Sequence, residues 1–155
     1  MGSAGFDIVV LGATGSPQDW GRALQAPTSA LPALDAAQRQ SAKRRGVSEQ
    51  DYARGVLLEQ LAEQRWQQRG LALGEMVREA VKPLESEYRL RAVVAEVQRK
   101  RWTVRFVDNQ GRVLDVHLDE DLVEDLLSFN AAEDKEKLRI KLLNGLGRDE
   151  LVVRK

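Results

Sequence analysis

The chain has 155 residues, of which 43% are hydrophobic and 31% are charged, a composition typical of a folded protein with much exposed helix. Its 24 basic residues balance its 24 acidic residues, so no overall charge attracts the chain to nucleic acid or to an anionic membrane. The sequence has no cysteine, which excludes disulfides, thiolate catalysis and cysteine-ligated metal sites. No apolar run approaches the roughly 20 residues of a membrane helix, and the start of the chain lacks the pattern of a secretory signal. We therefore expect a cytoplasmic protein with no membrane segment.

The apolar run at residues 6–11 is rich in β-branched side chains and predicts a buried strand that leaves through a glycine turn. With Gly12-Ala13-Thr14-Gly15, it resembles the opening of the dinucleotide-binding fingerprint of extended short-chain dehydrogenases. The resemblance implies a nucleotide-binding enzyme that places Gly12 and Gly15 against a pyrophosphate. However, Gln18 stands where that fingerprint has a third glycine. We therefore expect a plain strand and turn, and no cofactor.

The segment 18–32 is predicted to be a connector. Its prolines, threonine and serine forbid a continuous helix, although residues 19–24 can form one turn. Trp20 lies in that turn and is expected to anchor the segment by packing, because large aromatic side chains dominate core burial.

Two consecutive helices are predicted over 33–45 and 49–82. Gly46 can adopt the left-handed conformation that ends the first helix, and Ser48 is a good N-cap for the second. The second helix contains Gly70 and Gly74. Either this helix breaks or bends near Gly70, or the two glycines let another backbone approach closely.

The turn Ala42-Lys43-Arg44-Arg45-Gly46-Val47-Ser48 and its flanking helices resemble two families of DNA-binding regulators, the ribbon-helix-helix repressors and the helix-turn-helix proteins. That resemblance implies a DNA-binding regulator using the basic residues Arg39, Lys43, Arg44, Arg45 and Arg54. Residues 25–29 are a poor strand where the first family has its DNA-reading strand, and the second helix is longer than the recognition helix of the second family. DNA binding is therefore the alternative to a plain hairpin with a solvated basic edge.

The last third predicts a three-stranded antiparallel meander. Residues 88–98 are rich in valine, Trp102, Val104 and Phe106 alternate with polar residues, and 114–118 alternates in the same way. Residues 108–111 form a good hairpin turn.

Helices are predicted to follow the meander and to cover it. Asp119 and Asn130 are suitable ends for a helix over 120–129. Residues 131–146 predict another helix, with a strand at 138–142 that returns through 151–153 as the alternative.

The predicted fold class is α+β, with an N-terminal strand, a helical hairpin containing one long helix, and the meander covered by C-terminal helices. The expected segments are 1–32, 33–84 and 85–155, cooperating as one domain.

No motif in the sequence predicts catalysis. His117 is the only histidine and lies on the outward face of a predicted strand, where a solvated polar role is expected. The acidic residues around 115–125 lack the spacing and the turn glycine of a calcium loop. We therefore expect neither an enzyme nor a metal site.

The leading hypothesis is a non-catalytic interaction subunit or adaptor that binds a protein partner or a second copy through its long amphipathic helix. Basic clusters at 39–45 and 99–105, and an acidic stretch at 108–136, suit docking between proteins. Aromatic and methionine side chains are enriched in interface cores. The residues expected in buried packing or at the interface are Tyr52, Leu61, Trp66 and Met76.

Overall fold

Five α-helices and a four-stranded sheet make up the part of the chain that the computed structural model describes, which is residues 5–12, 15–148 and 150. The strands are β1 (Asp7–Leu11), β2 (Tyr88–Glu96), β3 (Arg101–Asp108) and β4 (Val113–Asp119). The helices are α1 (Pro17–Gln25), α2 (Ala36–Arg45), α3 (Glu49–Ala80), α4 (Glu120–Phe129) and α5 (Ala132–Gly145). The predicted α+β class is confirmed.

The chain divides into two units within α3. The first contains the described residues of Met1–Gly12 and Trp66–Lys155, and the second those of Ala13–Arg65. The predicted segmentation into 1–32, 33–84 and 85–155, acting as one cooperative domain, stays a prediction.

The sheet has the strand order β1-β2-β3-β4. Strands β2, β3 and β4 form the expected antiparallel meander, but β1 adds a fourth strand parallel to β2, with Ile8 opposite Val93. The prediction of a three-stranded, purely antiparallel sheet is therefore wrong in this detail. The expectation of a buried N-terminal strand is also wrong, because β1 lies at the sheet edge and its residues alternate between exposed and half-buried. Parallel neighbours need a long crossover connection, so local sequence signals did not reveal the pairing.

The core of the first unit lies on one face of this sheet. Trp102, Val104 and Phe106 of β3 are fully buried there, and the Trp66 ring of α3 packs on Trp102 with ring centroids 5.6 Å apart. Helix α3 runs without a break through Gly70, so it does not end there. A Cβ at Gly70 would lie 2.5 Å from Ile8 Cγ2, so a side chain approaches this glycine closely, and not the backbone expected in the second alternative.

In the second unit, the predicted helical hairpin is present. Gly46 has a φ of 69° and ends α2, and Ser48 Oγ accepts a 3.1 Å hydrogen bond from the Asp51 amide at the start of α3. Helix α2 begins at Ala36, later than expected, because Asp35 and Gln38 cap it reciprocally.

Helix α1 is longer than the single turn expected in the connector. Ser16 and Asp19 form a capping box, and Pro17 occupies the first turn, where its missing amide hydrogen costs nothing. Trp20 is 51% exposed, so the prediction that it is a packing anchor is wrong. The buried side of α1 is formed instead by Asp19 and Ala23.

The C-terminal helices lie close to their predicted positions. Asn130 has a φ of 53° and ends α4, and residues 132–145 form α5 rather than a strand. Asp119 stands at the N-cap of α4 without a capping side-chain hydrogen bond. Val152 and the rest of the predicted returning strand lie outside the described residues.

Candidate interaction site

An open groove of about 770 Å³ lies between the C-terminal half of α3 and α5 in the first unit. We call it the Met76 groove. The apolar side chains that line it are Ala72, Met76, Ala80, Pro83, Ala132 and Leu138. Concave, mainly apolar clefts with a few polar groups are typical of binding sites.

The groove stays open because each of the two helices packs a different row of its side chains into the core. Helix α3 turns Leu73 and Val77 into the core, where both are fully buried, and Met76 lies beside that stripe. Helix α5 uses Leu138 and Leu142 in the core. Between the two, alanine side chains at 72 and 132 are too short to close the gap.

Charged residues of opposite sign border the groove. Glu75 and Glu79 line it from α3, one turn apart. Lys135, Glu136 and Arg139 line it from α5, and a bidentate hydrogen bond joins Glu136 to Arg139 and raises the pKa of that guanidinium. The α3 rim therefore carries two negative charges, and the α5 rim carries a net charge of one positive, from two cations and one anion.

The structure gives different surroundings to the four expected interface residues. Met76 lines the groove and is half-buried. Trp66 is in the core of the first unit, with the Arg69 guanidinium 5.0 Å from its ring centroid. Tyr52 and Leu61 are half-buried in the second unit. Met76 is thus the one of the four expected residues that lines the groove. None of the α5 residues that line it was expected from the sequence. The sequence signal for this side was the broad apolar stripe on the second half of α3, which is wide enough to pack against two neighbouring elements.

Four of the five basic residues proposed for DNA contact surround the turn that follows α2. Lys43, Arg44 and Arg45 are exposed in the last turn of α2, where positive charge also complements the helix dipole. Arg39 makes an exposed 3.4 Å ion pair with Glu49.

Arg54, the fifth basic residue proposed for DNA contact, stabilises the fold through hydrogen bonds to the backbone. Its Nη1 donates to the carbonyl oxygens of Ala23, Leu24 and Ala26 at 2.9, 3.2 and 2.8 Å. These acceptors are carbonyls at the C-terminal end of α1, which no helical amide satisfies. Arg54 therefore caps α1.

The two glycines of the nucleotide-binding resemblance make packing contacts. A Cβ at Gly15 would lie 2.7 Å from Leu58 Cδ1, and Gly12, with a φ of +76°, lies against the Gln98 side chain. At the start of α1, Asp19 Oδ2 already accepts the Ser16 amide at 2.9 Å, so a carboxylate occupies the place of a phosphate. Ala13 and Thr14 lie outside the described residues.

The face of the sheet opposite Trp102 carries a hydrogen-bonded network across three strands. The Arg101 and Thr103 side chains donate to Glu96 at 2.6 and 2.8 Å, and together they lower the pKa of Glu96 to about 2. Because the Thr103 hydroxyl donates its hydrogen to this carboxylate, His117 Nδ1, 2.9 Å away, must be the donor to Thr103. His117 is exposed, as expected, and the network ties β2, β3 and β4 together.

Among the described residues, no cluster of histidine and carboxylate side chains is suited to hold a metal ion. Within the same residues, none of the helices combines the length and apolarity that crossing a bilayer requires. Comparison with protein-family models, with curated proteins and with solved structures finds no match for this chain.

Proposed function

We propose that the chain is a non-catalytic interaction subunit or adaptor that receives a helix of a protein partner in the Met76 groove. The observation that carries this proposal is the groove itself, an apolar channel between two helices with oppositely charged rims. An amphipathic helix fits such a channel by laying its apolar stripe along the floor.

The charges on the two rims define the partner's chemistry. A helix that docks here needs basic residues beside Glu75 and Glu79, and an acidic residue beside Lys135. Rim charges of this kind set orientation and suppress wrong partners more than they add affinity. The apolar floor around Met76 supplies the binding free energy, because burying apolar surface is the main favourable term in association.

The same proposal includes a cellular compartment and the absence of a catalytic role. A sequence without cysteine suits a reducing compartment, and we place the adaptor in the cytoplasm. The Glu96, Thr103 and His117 network is assigned a structural role, since its carboxylate is already neutralised by Arg101.

Site-specific photo-crosslinking tests the proposal. A benzophenone amino acid replaces Met76 in cells that naturally make the protein, and the matched control places it at Gln110, in the exposed turn between β3 and β4. A discrete covalent adduct is expected at position 76 only. The adduct should disappear when Glu75→Lys and Glu79→Lys are added, because they reverse one rim. Identical adducts at both positions, or none at position 76, would contradict the proposal.

The exposed basic turn supports a second candidate, a DNA-binding regulator. Its residues Lys43, Arg44 and Arg45 make no ion pair with any described residue within 4.0 Å, so they are available to phosphates. Binding to duplex DNA should then weaken by about one power of salt concentration for each phosphate contact. Replacing all three by glutamine should remove the binding and its salt dependence. Glu59→Gln and Gln60→Ala, on the exposed face of α3, serve as control changes. Salt-independent or absent DNA binding by the unmodified chain would exclude this candidate.

A further inference from the structure

We infer that the partner at the Met76 groove is a second copy of this chain, whose α3 and α5 lie against the groove in a two-fold symmetric dimer. The inference rests on the proposed function and names the partner. Two features support it: an exposed aromatic residue that directly precedes a groove residue in the chain, and the pattern of charge on the groove's rims.

The aromatic side chain is Phe129, which is 75% exposed. Asn130 adopts the left-handed conformation that stops α4, and it also lines the groove. Phe129 is therefore the last residue of α4 and directly precedes a residue that lines the apolar groove. An exposed phenylalanine would gain favourable free energy if it were buried in an interface core, as aromatic side chains commonly are.

The rim charges are complementary to themselves under one symmetry operation. A two-fold axis that runs along the groove places the α3 rim of each copy against the α5 rim of the other. Glu75 and Glu79, with two negative charges, then face Lys135, Glu136 and Arg139, with a net charge of one positive. A two-fold axis across the groove would set Glu75 and Glu79 against their own copies, which is repulsive.

The two features act together in the closed dimer. The rim charges select the axis along the groove, and each Phe129 inserts into the apolar groove of the other copy. An isologous contact of this kind closes on itself and leaves neither groove open.

The test is the mass of the purified chain by sedimentation velocity over a series of concentrations. The unmodified chain should approach twice its monomer mass of 17.4 kDa as concentration rises. Phe129→Ser should weaken the dimer by about thirtyfold, the effect of losing an interface hot spot. Val113→Ser removes a similarly exposed apolar side chain from β4 (59% exposed) and should leave the dimer unchanged.

Charge reversal supplies the decisive measurement. Variant one carries Glu75→Lys and Glu79→Lys, so both of its rims are basic, and variant two carries Lys135→Glu and Arg139→Glu, so both are acidic. Each alone should be monomeric, whereas an equimolar mixture should form a heterodimer, because every facing rim pair is then attractive. Restored association also shows that both variants are folded. The control pair Glu59→Lys and Glu63→Lys has the same spacing on α3 outside the groove and should still dimerise.

The outcomes separate the two proposals. An unmodified chain that is monomeric at every concentration, or variants that do not associate on mixing, overturns the second copy as occupant. The adduct mass from crosslinking at position 76 then decides the wider proposal. Two linked copies support the dimer, and a single adduct with a different protein keeps the groove as a docking site but overturns the dimer. No adduct overturns both.

Discussion

Phe6 and Gly74 are matched in shape: a Cβ on Gly74 would lie 2.1 Å from Cζ of the Phe6 ring. Phe6 is 8% exposed, and the Arg78 guanidinium lies 5.8 Å from the centroid of its ring. Because side chains surround the ring, it cannot move aside without losing contacts. The contact explains why a glycine occupies the interior of α3 at a position where alanine favours helix by about 1 kcal/mol.

Gly74→Ala should therefore destabilise the protein although it improves helix propensity. Overpacking of a filled core costs about 1–3 kcal/mol, which exceeds the gain. Gly55→Ala is the matched control, since it lies in the same helix with no atom within 4 Å of a new Cβ, and it should stabilise by up to about 1 kcal/mol. Urea unfolding of both variants measures the difference. Equal stabilisation by both would show that Phe6 does not fill this space.

Arg54→Met should destabilise α1 by about 1.5–3 kcal/mol, the usual contribution of a hydrogen bond to a charged group. The guanidinium donates to three carbonyl oxygens at the end of α1, and methionine keeps the length of the side chain but donates nothing. Amide hydrogen exchange in residues 17–25 should become faster. Arg44→Met is the control on the exposed side of α2. If Arg54→Met left exchange in α1 unchanged while DNA binding fell, Arg54 would be a phosphate contact instead of a cap.

Asp19 and Arg65 should show a positive coupling energy in a double-mutant cycle. Their side chains meet at 3.2 Å, and that of Asp19 is only 4% exposed. Asp19→Asn should cost about 1–3 kcal/mol, because it removes a charged acceptor from a buried position. Arg65→Met should cost less when Asp19 is already replaced. Strictly additive effects would show that the pair does not contribute to stability.

Glu96 should make the stability of the protein depend on pH. The Arg101 and Thr103 hydrogen bonds hold its pKa at about 2 in the folded protein, against an ordinary value of 4.5. Because the folded pKa is the lower one, the carboxylate stabilises fully above about pH 4.5, and this contribution is lost as the pH falls to about 2.

Glu96→Gln removes this titration. The difference in free energy of unfolding between the two proteins should therefore be largest above pH 4.5 and shrink towards pH 2. Glu59→Gln, on an exposed part of α3, is the control and should show little change in that window. A constant difference between Glu96→Gln and the unmodified protein from pH 6 to pH 2 would contradict the assignment.

Local chemistry of the sequence predicted the ends of several elements. As predicted, Gly46 ends α2, Ser48 caps the start of α3 and Asn130 ends α4. Gly111 has the positive φ that the hairpin turn after β3 requires. Each of these signals operates over about four residues, because caps and turns are made by neighbouring backbone groups. The identity and approximate length of α2, α3 and α4 follow from such signals together with the apolar stripe.

Contacts between residues that are distant in the chain became known from the folded structure alone. The parallel pairing of β1 with β2, the closeness of Phe6 to Gly74, and the capping of α1 by Arg54 all join positions far apart in the chain. The sequence offered Met76 as an interface residue in the leading hypothesis and Arg54 as a DNA contact in the alternative. The fold leaves Met76 beside an open groove and directs Arg54 to α1. The physical reason is that a side chain's role depends on the surface packed against it, and periodicity along one helix does not specify that surface.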